Sequence, residues 1–321
     1  MELRGAKRIL LPDLKTPLPA PINPRTSNPR SPNMLDPKVL MTIKNLPLLA
    51  KTVIDGFMNG FNKSTVKGPG LEFSQYRSYQ PGDDLRWLDW RMYARSDRYY
   101  IRESEIETSI SVRFLVDASA SMNHDDGTLT KIEYARFLAA SLAYLANLQG
   151  DAVGLYVFND SGLFSLASRP DPQHLKRFYH QLENIKPAGT FTQSVHYKEL
   201  FAGSGRKELL VFITDMYQPE GEIMKLLDSL AALRHEIIVF QLMGQNELDF
   251  DFKGYSSLQD LETGEVVQVG PQAKQQYKEA LEKHQQEIKM QLLGKHIIHR
   301  MLNTSEPLDV ALRDFLVQRN K

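Results

Sequence analysis

Three short polar segments combine hydroxyl and carboxylate side chains beside apolar runs. Asp117-Ala-Ser119-Ala-Ser121 follows Phe114-Leu-Val116, Gly189-Thr190-Phe-Thr192 lies in a loop before a stretch near Val195 to Phe201, and Thr214-Asp215 follows Leu209 to Ile213. Hydroxyl and carboxylate oxygens are hard donors, suited to Mg²⁺ or Mn²⁺ and unsuited to soft metals. The i, i+2, i+4 spacing of Asp117, Ser119 and Ser121 needs a tight loop to turn all three oxygens toward one point, because a helix would spread them around its circumference. Two Ser, two Asp and a Thr from the Gly189 loop would make a small, oxygen-only cation site, with Mg²⁺ expected and Mn²⁺ compatible. The same small polar residues also build ordinary turns and helix caps. The ordered recurrence of Thr and Asp near later strands sets this loop apart.

Other chemistries fit less well. The chain has no cysteine, which excludes disulfides, thiolate metal sites and a thiol nucleophile. A metal-dependent phosphohydrolase using Asp117 as nucleophile is the enzymatic alternative, but it wants a second carboxylate close by, and position 119 is Ser. Lys plus Arg and Asp plus Glu are both 39, so no overall field draws the chain to nucleic acid, and the basic residues from Arg86 to Arg102 are interleaved with acids. His124, Asp125 and Asp126 read as a solvated polar turn ending at Gly127, with extra ligation the less favoured reading. Gly203-Ser-Gly-Arg-Lys207 lacks phosphate-loop spacing. The N-terminal apolar run, Ile9 to Leu11, is short of a signal-peptide core, and no run approaches the roughly 20 residues of a bilayer span. With the lack of cysteine, this predicts a cytoplasmic chain without a membrane span.

The elements that must position these residues follow from periodicity. Beyond Ser111, strands and helices alternate, the signature of a parallel sheet covered on both faces. Strands are expected at Val112 to Val116, Ala152 to Phe158, Gly162 to Leu166 (returning beside its predecessor), Leu209 to Ile213, Ile237 to Leu242 and His296 to Met301. Helices are expected at Ile132 to Leu148, His174 to Ile185, Glu222 to Leu233 and Leu308 to Gln318. In such sheets ligands bind outside the carboxyl ends of the strands, where the three polar segments fall. An insertion at about 249–294 reads as a ribbon around Gly254 and Glu262-Thr-Gly-Glu265 and a long helix from Pro271 to Gly294. Its seam of Ala273, Tyr277, Ala280, Leu281, His284, Ile288 and Leu292 reads as core.

Residues 1–37 carry eight of the 17 prolines and read as a flexible tail, a basic solvated leader or a docking arm. Residues 38–110 read as a helix, which Pro47 should interrupt or kink, followed by a small β appendage. There Pro81-Gly-Asp-Asp84 turns the chain, Arg86, Arg91 and Arg95 face Asp84, Asp89 and Glu103 as bracing pairs, and Trp87 and Trp90 bury their rings.

Asp-x-Ser-x-Ser, a later Thr and a later strand-end Asp resemble the metal-ion-dependent adhesion site of von Willebrand factor A domains. The resemblance implies a von Willebrand factor A-like α/β fold, a mainly parallel sheet flanked by helices over 111–321. It also implies that Ser119 and Ser121 ligate the cation directly, that Thr190 does so directly or through water, and that Asp117 and Asp215 act largely through water. Thr190 is chosen over Thr192 because the family's Thr directly follows the loop's Gly. Arg77-Ser-Tyr-Gln-Pro-Gly-Asp-Asp-Leu-Arg-Trp-Leu-Asp-Trp90, followed by Arg95, Glu103 and the Asp117 loop, narrows this to a resemblance with the family called domain of unknown function 58. Glu262-Thr-Gly-Glu265 and the Tyr277 helix extend it over about residues 40–320. It implies a non-enzymatic, adaptor-like protein, with a MoxR-type AAA+ ATPase or a protein client offering an Asp or Glu to the metal as partner.

Overall fold

The computed structural model describes residues 40, 42–63, 75–80, 88–103, 109–127, 129–160, 162–191, 207–217, 221–250, 257–262, 264–268 and 273–319. The Pro-rich tail, the Pro81 to Trp87 turn, Thr192 and the Gly203 segment lie outside them.

Near-continuous apolar runs give strands that bury both faces. In β3 (Ser111–Asp117), Val112, Phe114 and Val116 face one way and Leu115 the other; β6 (Leu209–Thr214) divides Leu209, Val211 and Ile213 from Leu210 and Phe212 in the same manner. With β4 (Ala152–Asn159), β5 (Gly162–Arg169), β7 (Glu236–Met243) and β10 (Ile298–Asn303) they form a six-stranded sheet of order β10-β7-β6-β3-β4-β5. All pairs are parallel except β4 with β5, which returns antiparallel at the edge. The result is the mainly parallel, helix-flanked α/β sheet expected from the sequence. The chain runs outward from β3 through β4 and β5, then crosses back to β6 on the other side of β3. That reversal is a topological switch point, and the crevice beyond the carboxyl ends of β3 and β6 is where such sheets bind ligands.

One face is covered by α1 (Leu46–Lys63), α3 (Lys131–Leu148), α4 (Pro172–Glu183) and α8 (Asp309–Arg319). Helix α1 joins this core through Leu49, Ala50, Val53, Ile54 and Phe57, packing on α3 and α4. The helical spacing is interrupted at Pro47, as expected: Leu40 is helical, residues 42–45 are not, and α1 starts afresh just before the proline. The helix begins at Leu46, Asn45 Oδ1 caps the Leu48 N–H at 2.8 Å, and Pro47 sits in the first turn, where its missing donor costs nothing. Helix α3 starts on a reciprocal capping box between Thr130 and Glu133.

The opposite face is covered by α5 (Glu222–Ala232) and part of α7 (Ala273–Gly294). The expected seam of α7 is only partly core. Ile288 and Leu292 are buried, Tyr277 and Leu281 are half-buried, and Ala280 and His284 are exposed. Near its start the helix rests on Phe250, the ring centroids of Phe250 and Tyr277 being 4.7 Å apart. A short helix α6 (Gln245–Asp249) and the hairpin β8 (Ser257–Gln259) with β9 (Val266–Gln268) precede it.

In the smaller β segment, β1 (Gln75–Ser78) pairs antiparallel with β2 (Tyr100–Glu103) around α2 (Trp90–Ser96). Asp89 caps α2 through the N–H groups of Arg91 and Met92. Trp90 does not bury its ring; it is 61% exposed, edge-on to Tyr93, because Asp89 fixes the helix start with position 90 outward. Among the described residues no helix is long and apolar enough to cross a membrane.

Candidate functional site

Asp117 ends β3 fully buried, and two bonds fix its carboxylate. Oδ1 accepts the Ser119 N–H at 2.9 Å, and Oδ2 accepts the Thr214 hydroxyl at 2.7 Å from the end of β6. The register that opposes Val116 to Ile213 makes this inter-strand bond possible. Past Ser119 the chain enters a single 3₁₀ turn, Ala120–Asn123, which is the tight loop the spacing requires. It brings the Ser119 and Ser121 hydroxyl oxygens to 3.0 Å of each other. Asp215, 6% exposed, accepts the Tyr217 N–H on Oδ1 at 3.1 Å and the Lys131 ammonium on Oδ2 at 3.0 Å. The turn after it puts Met216 at φ 61.

The backbone of Ala188 and Gly189 brings the Thr190 loop to the same neighbourhood. Ala120 N–H donates to Gly189 O at 2.8 Å and Ala188 N–H to Ala118 O at 3.0 Å, lacing the two loops together. Gly189 has φ +63, and a Cβ there would run into the Asp160 side chain, so glycine is required twice over. Thr190 itself is exposed at the rim. The structure therefore gathers Asp117, Ser119, Ser121 and Asp215 with the Thr190 loop alongside.

Three further residues complete the site, and sequence reasoning missed their roles. Lys131, at the first position of α3, is 3% exposed and also donates to Glu247 Oε1 at 2.9 Å. A lysine at a helix N-terminus opposes the helix dipole, and that misfit is the signal in the sequence that it must have acidic partners. Burial alone would lower its pKa, but Asp215 and Glu247 outweigh burial and hold it above its ordinary value. Glu247 also accepts the Gly244 N–H at 2.6 Å, tying α6 to the site. The third is Glu262, in the turn between β8 and β9. Both its carboxylate oxygens are buried without a hydrogen bond of ordinary geometry among the described residues. Burial pushes its pKa up, as do Asp215 and Asp260, while the Ser121 and Ser119 hydroxyls lie near enough to counter this without bonds of ordinary geometry.

The polar turn beyond the loop is not simply solvated. Asp126 Oδ2 accepts from Thr304 Oγ1 and Ser305 Oγ, each at 2.8 Å, and His124 Nε2 lies 2.8 Å from Asn246 Oδ1, so the turn is stitched to α6 and to the end of β10. This gives His124 and Asp126 structural work in place of ligation.

Electrostatically the site lacks positive charge. Asp117, Asp215, Glu247 and Glu262 share a single ammonium, Lys131, among the described residues. Burial, reinforced by the charge of Asp215, pushes Asp117 up to about 7 against the pull of its Thr214 and Ser119 bonds. A hard divalent cation fits such a donor set: a hydroxyl pair, several carboxylates and, at Glu262, a carboxylate buried without a hydrogen bond of ordinary geometry among the described residues. Among the described residues no three His, Asp or Glu side chains converge as a metal cluster, so the hydroxyls would have to supply direct ligands. As a nucleophile Asp117 is poorly placed, because both oxygens are engaged and none of it is exposed.

An uncharacterized protein of Mycobacterium bovis is 27% identical to this chain over 264 residues, covering 81% of this chain and 83% of its own length. Among solved structures, an aerotolerance-related membrane protein from Bacteroides fragilis is similar at 19% identity and TM-score 0.43, covering 65% of this chain and 100% of that one. The SpRpn10 VWA domain is similar at 13% identity and TM-score 0.38, covering 64% and 95% respectively. Residues 75–288, the greater part of the sequence, match the family described as Protein of unknown function DUF58, and the chain belongs to that family.

Proposed function

We propose that this chain is a metal-dependent protein-interaction module. Mg²⁺, or Mn²⁺ in its place, binds at Ser119 and Ser121 with Thr190 at the rim, and Asp117 and Asp215 support it through water. The observation that carries this reading is the surplus of buried carboxylate around Lys131, set beside two hydroxyls 3.0 Å apart at the switch point of the sheet. With neutral hydroxyls as direct ligands the cation keeps much of its charge and an exchangeable position, which an Asp or Glu of a partner fills. The metal then bridges two proteins and catalyses nothing. The partner we infer is a MoxR-type AAA+ ATPase or its protein client, with the chain acting as an adaptor in assembly or maturation. A chain without cysteine suits a cytoplasmic, reducing setting for that work.

The test is capture of partners from lysate by wild type and Asp117→Ala, each in Mg²⁺ and in EDTA. Partners retained only by wild type in Mg²⁺ support the reading. The same partners in all four conditions would end it.

A further inference from the structure

The turn of the β8–β9 hairpin delivers a carboxylate to the site from within the same chain. Asp260 organises that turn. Its Oδ1 accepts the Glu262 N–H at 2.7 Å, its N–H donates to Glu265 O at 2.8 Å, and its carbonyl accepts the Gly264 N–H at 3.0 Å. Its Oδ2 accepts the hydroxyl of Tyr217, which stands two residues after Asp215. The hairpin is thus tied to the strand end that carries Asp215. Glu262 is turned inward, both oxygens buried without a hydrogen bond of ordinary geometry among the described residues, close to the Ser121 and Ser119 hydroxyls and within the field of Asp215.

An ionised carboxylate in that position is opposed by desolvation and by Asp215 alike. Structural carboxylates in proteins escape this by taking hydrogen bonds or a counter-ion; among the described residues Glu262 has no counter-ion and only the nearby Ser121 and Ser119 hydroxyls to offset its burial, whereas Lys131 is committed to Asp215 and Glu247. A cation on the serine hydroxyls would satisfy it. We propose that Glu262 is an in-chain ligand of the cation at Ser119 and Ser121, occupying the coordination position that a partner's carboxylate takes, so that a partner docks by displacing the hairpin turn. This rests on the adhesion-site reading and adds a gate to it. A tethered carboxylate competes at an effective concentration on the order of millimolar or above. A lone acidic side chain therefore loses to Glu262, and a partner succeeds only if its other contacts also release the hairpin from Tyr217.

The experiment uses the full chain with Mn²⁺ as the probe, reading affinity by electron paramagnetic resonance and the number of exchangeable inner-sphere waters by water-proton relaxation. Wild type should bind Mn²⁺ with low relaxivity, unaffected by sodium acetate. Glu262→Gln should bind roughly tenfold or more weakly, show the relaxivity of one additional water, and lose that gain when acetate is added. Tyr217→Phe, which keeps the carboxylate and frees the hairpin, should fall between the two, and Glu265→Gln on the same turn should match wild type. If Mn²⁺ binds wild type and is lost in Ser119→Ala while Glu262→Gln equals wild type in affinity, relaxivity and acetate response, Glu262 is no ligand and the adhesion site stands without it. If wild type binds no Mn²⁺, both readings fall.

Discussion

At the amino end of β3, Arg113 donates to Glu208 at 2.8 Å and to the Tyr156 hydroxyl at 3.2 Å, its guanidinium 5.6 Å from the Tyr156 ring centroid. At the carboxyl end of the same strand, Asp117 lies in the field of Asp215, which shares the Lys131 ammonium with Glu247 and lies in the field of Glu262. Both clusters are buried and both join β3 to its neighbours. Among the described residues the first pairs one cation with one anion beside an aromatic ring. The second leaves carboxylate in excess and opens at a loop of serines. A buried cluster that balances its own charge holds structure together, and the one with carboxylate in excess is where we propose that a cation binds.

Breaking the closed pair should give the largest effect. Arg113→Met strands Glu208 in the core and should cost about 3–5 kcal/mol in urea unfolding, while Arg113→Met combined with Glu208→Leu should recover most of it. Mg²⁺ affinity should not move in either variant. A change of affinity in Arg113→Met would mean that the two ends are coupled and the contrast is false. Lys131→Met should cost a comparable amount, about 3 kcal/mol, when measured in EDTA, because Asp215 and Glu247 lose their partner. Saturating Mg²⁺ should restore part of that loss, since the metal supplies positive charge nearby. An identical cost with and without Mg²⁺ would place the cation elsewhere.

The difference between the two ends also decides what the sequence could reveal. Short continuous apolar runs such as Leu209 to Ile213 specify strands locally, and the helical stripe from Ala135 to Ala146 specifies α3, so the sheet and its flanking helices were legible. The Asp117, Ser119, Ser121 loop was legible because its chemistry lies within five residues. Lys131, Glu247 and Glu262 were not, because each joins the site through tertiary approach: a helix start, a helix after β7, and a hairpin turn. Trp90 misled for the same reason in reverse, its apolar character suggesting burial that the local cap at Asp89 forbids.

Metal itself should act at one end only. Mg²⁺ at a hundred times its dissociation constant should stabilise wild type by about 2.7 kcal/mol and Ser119→Ala not at all. In EDTA, Ser119→Ala should cost no more than about 1 kcal/mol, the worth of one ordinary hydrogen bond. Equal Mg²⁺ responses in the two proteins, read as shifts in the urea midpoint, would remove Ser119 from the site.

The smallest effect comes from two histidines, His174 buried and His299 half-buried, one toward each end. His174 lies 3.0 Å from Val153 O, and His299 lies 3.0 Å from Gln241 Oε1, whose amide in turn donates to Asp215 O. Burial holds both pKa values below the ordinary one. The unfolded chain takes up these protons near pH 6.5 while the folded chain resists, so stability is complete above that pH and falls as the pH drops through it toward the folded values. Asp117 has the opposite sign. Its carboxyl, pushed up to about 7 in the fold, makes the metal-free protein gain stability as the pH falls through the same range. The histidine effect is therefore cleanest in an Asp117→Asn background, where thermal midpoints should decline from pH 7.5 to 5.5 and His174→Gln with His299→Gln should flatten the decline. In metal-free wild type the two slopes oppose each other, and the midpoint should vary less with pH than in Asp117→Asn; a steeper fall in wild type would mean that Asp117 is already ionised and balanced, as Glu208 is by Arg113 at the other end of the strand.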